Sequence, residues 1–182
     1  MDTSLLSRFG PLLGRTCLSL GLAALLSTAP PASHGSGIDL SPGELPPSEL
    51  AHDGVRAHIA QQGSMNTGTM AQTGADSAAS ILQDGAHNRA GTTQSGIGNT
   101  ALVQQTGAYN DAQIIQAGTD IQGEIHQTGA FNRGRLAQYA SNSDAHLNQI
   151  GNFNQLTVTL TTPGPLAPIT QIGSGLKLSV YR

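Results

Sequence analysis

Tryptophan is missing from this chain, Phe and Tyr supply three residues each, and cysteine occurs once. A conventional globular enzyme builds its core from large apolar and aromatic side chains, so this scarcity excludes that class. Charge is scarce too: Asp, Glu, Lys and Arg make up 10% of the 182 residues, where roughly 25% is usual. The net charge of -3 is too small to hold a chain open by self-repulsion, which excludes a charge-rich disordered polymer. Eight scattered Lys and Arg are outnumbered by eleven Asp and Glu, so no nucleic-acid partner is expected. The apolar run Leu18 to Leu26 falls short of the roughly 20 residues that span a bilayer. What is abundant is polar and small: 23 Gly, 15 Gln and 9 Asn.

Arg8 and Arg15 precede the apolar run, and Ser27, Thr28 and Ala29 follow it ahead of a Pro-containing stretch. That order is a secretory signal peptide over residues 1–33, with Ala32 and Gly35 both open as cleavage points. Cys17 lies inside it without the small-residue context of a lipoprotein box, so the mature protein is expected to have no disulfide or thiol chemistry. Residues 34–54 are rich in Ser, Pro and Gly and read as a flexible leader.

Beyond the leader the chain repeats. Stepping by 11 from Gln61 gives Gln72, Gln83, Gln94, Gln105, Gln116, Gln127, Gln138 and Gln149, then Leu160, then Gln171. So long an in-phase run marks a fixed repeat, which takes precedence over low-complexity disorder because disorder shares the composition but predicts no phase. Two places after these steps stands Gly63, Gly74, Gly85, Gly96, Gly107, Gly118, Gly129, Gly151 or Gly173, with Ala140 and Thr162 as exceptions. Five places after, the column reads Asn66, Ser77, Asn88, Asn99, Asn110, Ile121, Asn132, Ser143, Asn154, Pro165 and Leu176. Seven places after it is small, as at Ala79, Ala90, Ala101, Ala112 and Ala145, and nine places after it is apolar except at Thr92.

Positions five, seven and nine and the next Gln are spaced by two, so they share one face of a seven-residue strand. Four residues remain for an arc, in which the glycine absorbs the odd residue of an 11-residue period by taking positive φ. The fourth place after Gln alternates with a period of 22: Met65, His87, Tyr109, Phe131 and Phe153 in one half, Asp76, Gly98, Asp120 and Asn142 in the other. The expected fold is therefore all-β: a β-solenoid of strand-arc-strand coils with 22 residues per coil. Five coils span residues 55–76, 77–98, 99–120, 121–142 and 143–164, and a divergent partial coil spans 165–182. Coils stacked at about 4.8 Å set Gln on Gln and Asn on Asn, so that side-chain amides bond along the stack as the backbone does. The expected ladder is Gln61, Asn66, Gln72, Gln83, Asn88, Gln94, Asn99, Gln105, Asn110, Gln116, Gln127, Asn132, Gln138, Gln149, Asn154 and Gln171, with the column from Gly63 to Gly151 forming the arcs.

The unit Ser77-x5-Gln83-x-Gly85-x2-Asn88-x-Ala90-x3-Gln94 resembles the curlin repeat of bacterial curli fibre subunits at every defined position, and its neighbours resemble it with single departures. The resemblance covers well over half of the chain. It implies a secreted structural subunit of extracellular functional amyloid, exported through an outer-membrane channel to the cell surface, where it serves adhesion and biofilm matrix. The partners it implies are copies of the chain, a paired curli subunit and the export machinery, to which the leader would address the chain. The last stretch carries Pro163, Pro165 and Pro168, loses Gln at Leu160 and ends in Lys177 and Arg182. In that it looks more like the family's minor, nucleating subunit than its major one, and the C-terminal segment is a candidate for surface attachment.

No catalytic, cofactor or metal residues are expected. The six His stand in different columns, with His126 and His146 outward on strands and His87 in an arc, where a metal site needs convergent ligands. Asp84, Asp111 and Asp144 likewise share no column, so no carboxylate pair is set for acid–base work. A β-helical enzyme would need a charged cluster on one outer face, an ice-binding solenoid an outward column of Thr, and a calcium roll Gly-Gly-x-Gly-x-Asp turns. The sequence offers none of these, which leaves a non-amyloid secreted β-solenoid with a binding or adhesion role as the alternative.

Overall fold

A strand that hides Ala, an aliphatic residue, Gln and Asn on one side needs a partner sheet to cover that side, and a 22-residue coil supplies one. The computed structural model describes residues 24–26 and 54–182. The targeting segment and leader otherwise lie outside the described residues. The strands run in order β1 (Ala24–Leu26), β2 (Arg56–Ser64), β3 (Thr67–Ala75), β4 (Ala78–Ala86), β5 (Arg89–Ile97), β6 (Thr100–Ala108) and β7 (Asp111–Thr119). They continue as β8 (Gln122–Ala130), β9 (Arg133–Gln138), β10 (Ser143–Asn152), β11 (Gln155–Leu160), β12 (Gly164–Pro165), β13 (Ile169–Ser174) and β14 (Lys177–Tyr181). One sheet, here sheet A, has the order β1-β3-β5-β7-β9-β11-β14; the other, sheet B, has β12-β10-β8-β6-β4-β2, with β13 also pairing β10. Every pairing is parallel, and from β2 to β14 each partner stands 22 residues away apart from the short contact with β12. The fold is thus a β-solenoid of about six coils.

The core is a seam one side chain deep from each sheet. Ile81, Val103, Ile125 and Leu147 line sheet B, and Met70, Ile114, Leu136 and Val158 line sheet A, all nearly fully buried beside Ala79, Ala90, Ala101, Ala112 and Ala145. Thr92 occupies the sheet A column between Met70 and Ile114, 2% exposed, and its hydroxyl has no hydrogen-bond partner.

The strands are longer than the seven residues expected. From β2 to β8 each has nine, because pairing continues through the glycine. Gly85 takes φ +118, and a Cβ there would collide with the Gly107 carbonyl oxygen of the next coil. The same obstacle explains the two departures from that column. Where Ala140 replaces glycine, β9 ends at Gln138, and where Thr162 does, β11 ends at Leu160. Each arc then turns on a second positive-φ residue two places later, including Met65, His87, Tyr109, Phe131 and Phe153 at φ 56 to 58. A side chain in that left-handed region costs roughly 1–2 kcal/mol. Ladder bonds carry on through these arcs, as in Tyr109 N–H to Ala86 C=O at 3.0 Å and Phe131 N–H to Ala108 C=O at 3.0 Å.

Candidate functional site

The glutamine column of sheet B is one continuous chain of amides. Gln61 Nε2 donates to Gln83 Oε1 at 2.5 Å, Gln83 to Gln105 at 2.7 Å, and Gln105 to Gln127, Gln127 to Gln149 and Gln149 to Gln171 at 2.8 Å each. In sheet A, Gln72 donates to Gln94 at 2.7 Å, Gln94 to Gln116 at 2.8 Å and Gln116 to Gln138 at 3.1 Å. These side chains lie inside the coil, so the second N–H of each amide must also find a partner. It finds one in the opposite sheet. Gln83 reaches the Thr67 carbonyl at 3.1 Å, Gln105 that of Arg89 at 2.9 Å, and Gln116 that of Thr100 at 2.9 Å. Each glutamine therefore ties its coil to the next and sheet A to sheet B at once.

Asparagines do the equivalent work at the arcs. Asn66 Oδ1 accepts from the Asn88 N–H at 3.0 Å, and the relay repeats at 3.1 Å from Asn88 to Asn110, from Asn110 to Asn132 and from Asn132 to Asn154. Their Nδ2 groups donate to the glycine carbonyls of the next coil, Asn88 to Gly107 at 2.9 Å and Asn132 to Gly151 at 2.8 Å. Asn99 stands in the other arc, between Ser77 and Ile121, and its Oδ1 accepts from the Ile121 N–H at 3.1 Å. The asparagine thus supplies what the arc backbone lacks, an acceptor and a donor in the stacking direction.

The two ends of this array differ. At the first coil Gln61 is partly exposed, and among the described residues nothing donates to its Oε1. At the last coil Gln171 is 5% exposed. The sheet A column stops at Gln138, whose Nε2 bonds the Gln122 carbonyl at 2.8 Å and lies 3.4 Å from Ser143 Oγ. Leu160, 1% exposed, takes the next place. Beyond it the Arg182 guanidinium donates to the Pro165 carbonyl at 2.9 Å. Leu176 replaces asparagine, and with it the amide relay ends.

Two surface features accompany the columns. His87, Tyr109, Phe131 and Phe153 stack along one arc with ring centroids 4.6, 4.8 and 5.0 Å apart and nearly parallel planes. Tyr109, Phe131 and Phe153 remain about half exposed. On the outside of sheet B, Glu124 bonds His146 Nδ1 at 2.6 Å and His126 Nε2 at 2.9 Å, while His146 Nε2 meets Asp144 at 3.1 Å. Burial alone would push His146 down, but the hydrogen bond from Glu124 and the charges of Asp144 and Glu124 outweigh it and raise its pKa. Burial likewise opposes ionisation of Glu124, yet its bonds to His126 and His146 hold it below the ordinary carboxylate value. Sequence reasoning separated these residues by column; neighbouring columns on adjacent coils bring them into contact. Among the described residues no group of three such side chains is placed to hold a metal ion.

Residues 85–118 and 118–151 match the family model for the curlin associated repeat. No curated protein and no solved structure matches the chain. The matched segments contain the uninterrupted run of amide columns, from Gln94 and Gln105 to Gln149, and the arcs that carry Asn88, Asn110 and Asn132. A parallel solenoid held by such columns and matched by two adjacent repeats is a structural protein of the curlin repeat family.

Proposed function

We propose that this chain is a secreted subunit of an extracellular amyloid fibre, adding to copies of itself and to a paired subunit by extending the solenoid beyond its own ends. The observation that carries this reading is the open first coil: the outer edge of β2 pairs with no described strand, and Gln61 presents an amide oxygen in the stacking direction. An unpaired strand edge is a template for another chain, and here the side-chain column is in phase with it. The closed far end, with Leu160, Pro165 and Arg182 in place of the amide column, supports a nucleating and surface-attached role rather than that of the bulk fibre subunit. Export through an outer-membrane channel and a place in biofilm matrix follow from the family.

The test is assembly of the full mature chain from denaturant. After a lag it should give fibres with meridional and equatorial reflections near 4.7 and 10 Å. Gln61→Ala with Gln72→Ala should slow templating of a partner subunit far more than truncation after Gly164, and truncation should release the protein from cells. A chain that stays monomeric for days at high concentration removes the fibre reading; truncation that abolishes templating while the glutamine changes leave it intact removes the assignment of ends.

A further inference from the structure

The outward faces of the two sheets carry opposite charge. Sheet A turns Arg89, Asp111, Arg133, Arg135 and Lys177 outward, and Asp111 is already engaged by Arg133 at 3.5 Å. Sheet B turns out Arg56, Asp84, Glu124 and Asp144. One face therefore has four cations against one carboxylate, and the other three carboxylates against one cation. Their uncharged residues differ as well. Tyr139 and Tyr181 are exposed on the side of sheet A, while sheet B shows Ile150 and Ile172 together with half-exposed Leu82 and Leu102. Arg and Tyr are side chains that protein interfaces favour, and aliphatic groups give tyrosine rings a surface to cover.

The size of the faces is sufficient. Six strands at about 4.8 Å and nine residues at about 3.3 Å give roughly 850 Å² per face, close to the ~800 Å² that each partner buries in a standard interface. We infer that the outer face of sheet A of one copy docks on the outer face of sheet B of a second copy, joining stacks side by side. Because the two surfaces are different, the contact is heterologous and leaves a free face of each kind on every pair, so association continues into bundles. This goes beyond growth at the ends, which uses edges and columns that the faces do not share.

The experiment follows filament width by electron microscopy and elongation by thioflavin fluorescence, using the full mature chain. In Arg133→Glu with Arg135→Glu both faces become acidic; in Glu124→Lys with Asp144→Lys both become basic. Each variant alone should elongate but lose bundling several-fold, and a mixture of the two should regain it because opposite faces meet again. Wild-type bundling should weaken several-fold as salt rises and the screening length falls from about 10 Å at 0.1 M to about 3 Å at 1 M. Lys177 is the only lysine, so zero-length carbodiimide coupling in mixed isotope-labelled samples identifies what lies on its face. Links between copies from Lys177 to Asp84, Glu124 or Asp144 support the contact. Links to the acidic leader residues Asp39, Glu44, Glu49 and Asp53 would instead place that segment there and overturn it. Bundling of either variant at the wild-type level, or a mixture that does not regain it, would overturn it too. Failure of the wild type to elongate bears on the fibre reading alone, since the coupling experiment reports face contacts between unstacked copies as well.

Discussion

Replacing Gln105 with alanine measures how much the amide columns hold the coils together. The side chain is 0% exposed and makes three hydrogen bonds: it accepts from Gln83 at 2.7 Å and donates to Gln127 at 2.8 Å and to the Arg89 carbonyl at 2.9 Å. At about 1 kcal/mol net for each bond, and about 1–3 kcal/mol for each buried group left without a partner, the loss should be about 4–6 kcal/mol before any collapse of the void. Gln105→Leu fills the void but leaves the same three groups unpaired, so it should cost about 3 kcal/mol or more. Leu160, which occupies a glutamine place naturally, is tolerated because Gln138 below it bonds the Gln122 carbonyl and turns its amide toward Ser143. Gln61→Ala removes one bond at an edge that water reaches and should cost about 1 kcal/mol. Guanidinium titrations of the folded chain followed by β-sheet circular dichroism would rank the three. Equal midpoints for Gln61→Ala and Gln105→Ala would refute the reasoning, because they would place the stabilisation in the backbone ladder and the apolar seam alone.

Thr92→Val should raise stability by about 1 kcal/mol in the same titration, since it replaces a buried hydroxyl that has no partner with a methyl of similar shape; an unchanged or lower midpoint would mean that the hydroxyl is solvated. Gly107→Ala should cost at least about 1–3 kcal/mol, because φ is +119 and the new Cβ meets the Gly129 carbonyl, whereas Gly91→Ala on the outer face should be nearly neutral; similar midpoints for the two would argue against the arc account. Phe131→Ala removes two ring stacks and should cost about 1–3 kcal/mol, and a negligible change would make the aromatic column simple arc filling. The pair of His146 and Glu124 sets a pH window. His146, raised from 6.5, contributes stability at low pH that is lost as pH rises through its folded value, whereas Glu124, lowered from 4.5, contributes above that value and loses it as pH falls through its own. Glu124→Gln should move the His146 ring titration, read by NMR, down toward its ordinary value, and an unmoved titration would show that Asp144 alone sets it.

In a parallel solenoid residue i sits on residue i + 22, so a periodic sequence is close to a contact map. That is why the strands, the two sheets and the columns from Gln61 to Gln171 could be read from letters alone: the same residue type recurs where it must meet itself. The periodicity is silent about contacts that cross from one sheet to the other. The bond from Gln105 to the Arg89 carbonyl spans 16 residues, a distance set by how tightly the arc closes. Backbone angles were only partly legible. Asp76, Gly98, Asp120 and Asn142 are residue types that tolerate positive φ, and they mark the column, but Tyr109, Phe131 and Phe153 adopt it against their own preference because the arcs above and below impose it. Outward residues were legible as polar positions and no more. That Glu124, His126, Asp144 and His146 touch, and that cations collect on one face and carboxylates on the other, depends on adjacent columns of successive coils lying side by side. Sequence alone determined the stacking partner of each residue, because stacking preserves phase; only the tertiary structure decided its neighbours across the coil and along the surface, because those depend on the path of the arcs and on strand spacing.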